Sequence, residues 1–232
     1  KENGFAPQSM LSITVEQVRR LQPDVVYLHE LTVATTDFMA AIRPHTRLIA
    51  GQVACPIQNQ SHMGAFDIMF TSFPHYVENF RSLGIKSYYL PLAFDGRVLK
   101  EHHAVAKDLP VTFVGGLSQA HGKGQDFLAQ LANLMPIDFF GYGAEGLPPE
   151  SPIRKKHHGE VWGQEMFTAL QRSQITINRH IDVALTYANN MRLFEATGMG
   201  SLLLTDYKSN LNDLFEIGIE VVAYQTPQEC AE

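Results

Sequence analysis

The chain of 232 residues is poor in several things at once. It has two cysteines, Cys55 and Cys230, and a single tryptophan. Two cysteines so far apart build no disulfide framework and have no metal-ligand spacing, so no bound metal is expected. No apolar run approaches the roughly 20 residues of a membrane-spanning helix, so no transmembrane segment is expected. Positive charge is in deficit: 18 Lys and Arg stand against 24 Asp and Glu, a net of −6. That balance argues against duplex nucleic acid as main partner, because a phosphate backbone calls for a basic footprint. The first ten residues are polar and contain Gly4 and Pro7, so no secretory signal is expected and a reducing, cytoplasmic location fits. What the chain does have is 45% hydrophobic residues, enough for a packed core and too many for a disordered chain.

Short apolar runs alternate with helical segments. Strands are expected at 24–28, 47–50, 67–70, 87–90, 111–114, 137–140, 175–178, 201–204 and 220–223. Helices are expected at 11–21, with Thr14 and Gln17 spaced as a capping box, and at 36–42. A third runs from a Ser72 cap through Pro74 to Gly84. Further helices are read at 124–133, 163–172, 190–197 and 209–216. Strands separated by helical crossovers of about 10–20 residues imply parallel sheets. The polar stretch 98–110 reads as a linker between a first domain, 1–97, and a second, 111–232. The class is therefore α/β, with two Rossmann-like doubly wound domains facing across a cleft. Two complete halves at roughly 150 residues each need more chain than this. Thr226-Pro227-Gln228-Glu229 is also a helix start signal with only three residues after it. The expectation is an internal piece of a longer polypeptide with an incomplete first domain.

Ligands of such sheets sit beyond the carboxyl ends of the strands. The candidates are thus His29, Gln52, Ser72, Gly115, Gly116, Tyr142, Arg179, His180 and Asp206. Two segments carry more specific chemistry. Phe113 to Leu117 (FVGGL) followed by His121-Gly122-Lys123-Gly124 places a glycine turn between a strand and a helix. Backbone N–H groups there can approach a phosphate, and Lys123 can add a cation. The same glycines also suit an ordinary strand-to-helix turn. The segment is neither a Walker motif nor a GxGxxG fingerprint. In the second segment, Asn189 or Asn190 caps a helix, next to Met191. Arg192 sits in the first turn, where the helix dipole disfavours a cation unless an anion is bound. Glu195 follows one turn later, suited either to ribose hydroxyls in the cleft or to a surface pair with Arg192.

At these residues the chain resembles the GT-B glycosyltransferases, and in particular the spore-maturation-protein-type branch of the group 1, family 4-like enzymes. The resemblance runs through Asn190, Arg192, Phe194, Glu195, Gly200, Leu203, Leu204, Thr205 and Asp206. It continues through Asn210, Leu211, Leu214, Phe215, Gly218, Glu220, Val221, Val222 and Tyr224, and is weaker before Val111. It implies transfer of a sugar from a UDP- or GDP-linked donor to a glycan or other hydroxyl acceptor, in polysaccharide biosynthesis, without a metal ion or other cofactor. The absence of an Asp-x-Asp triplet agrees. Glu195 matches the last glutamate of the family's Glu-x7-Glu motif, whose first position is Tyr187 here. Gly115, Gly116, Lys123, Arg179, His180, Asn189, Asn190, Met191, Arg192 and Glu195 are then donor-binding candidates, with Gly116, Lys123 and Arg192 toward the diphosphate and Tyr142 and Trp162 near the nucleobase. His29 stands with Arg192 and Glu195 as a catalytic candidate, a general base if the enzyme inverts configuration. His102, His103, His157 and His158 read as solvated loop residues. An epimerase of the same fold and a non-catalytic nucleotide or sugar-binding module remain alternatives, as do further domains of a longer polypeptide as partners.

Overall fold

The structure, a computed structural model, describes residues 10–55, 57, 63–103, 105–117 and 122–232, the side chains at 122 and 123 excepted. The chain divides into two compact units, Lys1–Pro91 and Leu92–Glu232.

In the first unit, four short apolar runs become β1 (Val25–Leu28), β2 (Leu48–Val53), β3 (Ile68–Thr71) and β4 (Lys86–Tyr89). They lie parallel in that order. The helices are α1 (Met10–Leu21), α2 (Thr36–Ile42) and α3 (Pro74–Ser82). Successive strand residues point to opposite faces. Val26, Ile49, Val53 and Met69 pack with Val18, Phe38, Met39, Ile42 and Phe80 from the three helices. The alternate positions Val25, Tyr27 and Tyr88 are exposed. Among the described residues, the helices of this unit therefore cover one face of its sheet.

Two expected caps are not formed. Thr14 lies inside α1, where its hydroxyl donates back to the Met10 carbonyl at 3.0 Å. The residue before α3 is Phe73, and its N–H is taken by the Thr71 hydroxyl at 3.1 Å. Pro74 at the first helical position has no N–H that needs a cap. Gly84 ends the turn with φ of +77°, as a glycine after a helix should.

The second unit holds β5 (Leu109–Val114), α4 (Gly122–Leu134), β6 (Asp138–Phe140), α5 (Pro152–Lys155) and α6 (Gly163–Arg172). Then come β7 (Ser173–Asn178), α7 (Met191–Gly198), β8 (Leu202–Asp206), β9 (Val221–Tyr224) and α8 (Pro227–Ala231). All five strands are parallel, in the order β6-β5-β7-β8-β9. Both faces are covered. Phe127, Leu131, Ile153 and Cys230 pack on one with Phe113, Ile177 and Tyr224. Leu170, Leu193 and Ala196 pack on the other with Val114, Leu203 and Val221. Burial of each such side chain is worth about 1.5–3 kcal/mol. Between β5, β7 and β8, buried hydroxyls link Thr112 to Ser173 at 2.8 Å and Thr176 to Ser201 at 2.7 Å.

The stretch read as a linker is fastened to this unit. Val98 packs into its core, as does Phe94 just before the stretch, and a Cβ on Gly198 would clash with the Phe94 ring. The Lys107 ammonium donates to the Ser173 carbonyl at 2.7 Å, and Arg172 grips Asp108 with two hydrogen bonds of 2.7 Å. The helix expected at 209–216 is reduced to a single 3-10 turn, Leu211–Asp213. Its backbone is claimed elsewhere: Ser209 N–H donates to Thr186 O at 2.8 Å, and Asn210 Oδ1 accepts from Ala188 N–H at 2.6 Å. Finally, α8 forms despite its five residues. Thr226 Oγ1 accepts from Glu229 N–H, and Cys230 is buried against the core, its thiol pushed up to about 12.

Candidate functional site

Strand β5 lies between β6 and β7, so the chain leaves it to one side and returns to the other. Crevices of this kind, at a reversal of strand order, are where parallel α/β sheets bind ligands. A cavity of about 220 Å³ opens at this point, lined by Gly115, Gly116, Gly124, Arg179, His180, Asp182, Asn190 and Arg192. Six of the residues proposed from sequence therefore meet in one place.

The glycine turn after β5 is shaped by the neighbouring strand. Gly115 N–H donates to Phe140 O at 2.9 Å, and Leu117 N–H to Tyr142 O at 2.8 Å. Gly141 has φ of +126°, and a Cβ there would sit 2.0 Å from the Gly115 carbonyl oxygen. Gly141 is thus as necessary to the turn as the two glycines within it, although nothing in its local sequence marks it.

Helix α7 begins at the cavity. Asn190 is its cap, with Oδ1 accepting from Leu193 N–H at 3.2 Å. The Asn190 amide also donates to Asn178 Oδ1 at 2.8 Å, and Asn178 donates to Thr205 Oγ1 at 2.9 Å. This run of amides ties the helix start to the ends of β7 and β8. Arg192 turns inward, donating from Nε to Val114 O at 2.9 Å and from Nη1 to Glu195 Oε2 at 2.6 Å. The two side chains keep only 15% and 14% of their surface exposed. Burial pulls the Arg192 guanidinium below its ordinary value, and Glu195 offsets part of that. The pair is buried rather than on the surface, and of the two Arg192 lines the cavity while Glu195 does not.

Beyond β7, the Arg179 guanidinium sits 5.0 Å from the centre of the Phe127 ring, and Tyr224 stacks on that ring at 5.2 Å. His180 is held by Asp206: Nδ1 is 2.7 Å from Oδ1, and the backbone N–H donates to the same oxygen at 2.9 Å. Lys208 Nζ approaches the other oxygen at 3.4 Å. Burial alone raises the Asp206 carboxyl, but the hydrogen bonds from His180 and the charges of His180 and Lys208 outweigh it and leave it below the usual carboxylate range.

Tyr142 and Trp162 form a separate exposed pair. Their rings are nearly parallel, 10° apart with centres 5.8 Å apart, and the indole N–H donates to Glu160 at 3.0 Å. Neither lines the cavity. Met191 is exposed at the start of α7, and Asn189 is buried with its amide nitrogen unpartnered among the described residues. Lys123 begins α4, but its side chain lies outside the described residues. His29 belongs to the first unit, exposed after β1 with its ring edge-on to Tyr27. His157 and His158 are not free loop residues. The first lies 2.7 Å from Gly141 O, and the second lies 2.6 Å from Asp138 and stacks on Phe140. Sequence reasoning missed Gly141, Asn178 and Phe127, whose roles depend on neighbours distant in the chain. Among the described residues, no group of three or more His, Cys, Asp or Glu stands close enough to hold a metal ion, and no helix is long and apolar enough to cross a membrane.

Residues 120–232 match the model of a family described as glycosyl transferase-like. Comparison with curated protein sequences finds no match. Solved structures of the same fold include AviGT4, a glycosyltransferase involved in avilamycin A biosynthesis, at 17% identity and a TM-score of 0.63, covering 98% of this chain and 69% of that one. Sucrose-phosphate synthase from Thermosynechococcus elongatus matches at 12% and 0.64, covering 95% and 67%. Anabaena HepE, solved in complex with UDP, matches at 13% and 0.62, covering 95% and 70%. The family match bears out the glycosyltransferase class expected from the sequence. The structural matches bear out the fold, two Rossmann-like α/β domains of the GT-B kind.

Proposed function

We propose that this glycosyltransferase takes its donor, a nucleotide-diphosphate sugar, in the cavity between β5 and β7. The observation that carries the reading is the convergence there of the Gly115-Gly116 turn, the amino end of α7, and Arg179 and Arg192. Backbone N–H groups and guanidinium cations are the chemistry that holds a diphosphate and stabilises it as it leaves. Lys123, at the start of α4, adds a cation. Glu195, fixed by Arg192, meets the ribose hydroxyls, and Tyr142 with Trp162 offers the nucleobase a flat aromatic surface. In this reading no metal ion is needed, because these groups neutralise the diphosphate. UDP is the first nucleotide to try, since a solved relative of the fold holds it. The acceptor is a glycan or another hydroxyl compound, and His29 is the candidate base or positioning group on the acceptor side. Within the class, the pattern from Asn190 to Tyr224 favours the spore-maturation-protein-type branch, and polysaccharide biosynthesis as the setting.

Incubation with UDP- and GDP-hexoses tests this, with release of the nucleoside diphosphate followed with and without a chelator. Release that depends on Arg192 and ignores the chelator supports the reading. One feature favours a second reading. Tyr187 replaces the first glutamate of the Glu-x7-Glu motif, which fits a module that binds the nucleotide without turnover. Tight binding with no release of nucleoside diphosphate from any donor and acceptor would select it.

A further inference from the structure

Arg179 and Arg192 both line the cavity between β5 and β7, but they are held differently. The Arg192 guanidinium donates to Val114 O, to Glu195 and to the Met166 sulfur, so each of its nitrogens has a protein partner. Arg179 is half-buried, and among the described residues its guanidinium has no hydrogen-bond or ion-pair partner. Its contact is a ring: Cζ lies 5.0 Å from the centre of Phe127. Phe127 is on α4, between Gly124 and Leu128, which also line the cavity. The side chain therefore reaches from the end of β7 across to the helix that borders the cavity, with all its N–H donors left for a ligand. The ring itself is fixed. It is buried and stacks on Tyr224, with centres 5.2 Å apart and planes at 15°. The Tyr224 hydroxyl donates to Asn178 O at 2.5 Å, and Asn178 is the residue before Arg179. The contacts thus run in a closed circuit from strand end to tyrosine, phenylalanine and guanidinium. A cation over an aromatic face is attracted by the ring quadrupole, and this attraction uses up no N–H group. A carboxylate partner would have occupied the fork that grips a phosphate.

Building on the donor-site reading above, we propose that Phe127 is a positioning residue for the donor diphosphate. Its ring holds the Arg179 guanidinium in place before the donor arrives, and that guanidinium donates to the phosphate oxygens. The contact is made to phosphate and is independent of the base. Without the ring, the arginine side chain is ordered only on binding, and the cost of ordering it is subtracted from the affinity.

Calorimetric titration of UDP and of GDP into the whole chain and its variants tests this. Arg179→Met should weaken binding of the cognate nucleotide about ten- to a hundredfold, as a lost charge-assisted hydrogen bond does. Phe127→Leu should weaken it about two- to tenfold, while Phe127→Tyr, which keeps an aromatic face, should stay near the wild type. In the Arg179→Met background, Phe127→Leu should weaken binding no further, although it still lowers stability. A ring that only fills the core would weaken binding in both backgrounds. Unchanged affinity in Phe127→Leu, a loss that persists in the Arg179→Met background, or unchanged affinity in Arg179→Met overturns the inference and leaves the donor-site reading standing. Failure of both nucleotides to bind the wild type overturns the two together. Should Phe127→Leu fail to fold, proton NMR of the wild type decides. The Arg179 Nε–H resonance, identified by its loss in Arg179→Met, should lie upfield from the ring current and move on addition of the nucleotide. A resonance that lacks the upfield shift or ignores the nucleotide overturns the inference.

Discussion

Arg192 and Glu195, one helical turn apart at the start of α7, close a 2.6 Å ion pair while Arg192 also donates to the Val114 carbonyl on β5. The pair joins helix, strand and cavity. Removing one partner leaves the other charge buried, so Glu195→Ala should lower unfolding stability by about 3–5 kcal/mol. The double variant Arg192→Met, Glu195→Leu should recover most of that, since apolar replacements of similar volume often do. Nucleotide affinity should not recover with it. Urea unfolding beside calorimetric titration separates the two effects. In Glu195→Ala that still folds, the lost ribose contact should cost about 1.5–3 kcal/mol of affinity.

Trp162 is the only tryptophan of the chain, and it stacks on Tyr142 at the surface. Its fluorescence should change on addition of the cognate nucleotide. Tyr142→Ala and Trp162→Ala should each weaken binding by about 1–3 kcal/mol. Exposed as they are, both should shift stability by no more than about 0.5 kcal/mol. Equal binding by the alanine variants would move the nucleobase elsewhere.

Gly141→Ala sets a Cβ against the Gly115 carbonyl at a φ of +126°. The backbone strain alone is about 1–3 kcal/mol, and the clash adds to it. Stability and nucleotide binding should fall together, because the phosphate turn cannot keep its shape. Gly198→Ala should instead displace Phe94 and lower stability without moving the cavity. Thermal unfolding of both variants, with and without UDP, distinguishes them.

Asp206 gives the native state an acid-sensitive contribution. Its carboxyl lies below the ordinary value of 3.8 in the folded protein, so the stability it supplies is complete above that pH. It is lost as pH falls from 3.8 toward the lower folded value. Asp206→Asn should be less stable than the wild type at neutral pH, and the gap should narrow on acidification. Chemical unfolding from pH 7 to pH 3 measures it.

Much of this was legible in the sequence because it is local. The apolar runs located all nine strands among the described residues to within a few residues, and Thr36 to Ile42 is a helix as expected. The strand ends in turn pointed to Gly115, Gly116, Arg179 and His180. What was not legible depends on register. His180 meets Asp206 because β7 pairs with β8 so that Asn178 faces Thr205. Gly141 is needed because β6 pairs with β5, and no local motif encodes that. The expected helix at 209–216 yields to contacts with 186–188, a case of tertiary partners overriding local propensity.

The most direct test of the central claim is a titration of UDP, GDP and ADP into the whole chain, paired with the same titrations into Arg192→Met, Glu195→Leu. At least one nucleotide should bind the wild type at a single site, and the double variant, still folded, should bind it far more weakly. Absence of binding by all three, or equal binding by the double variant, would contradict it.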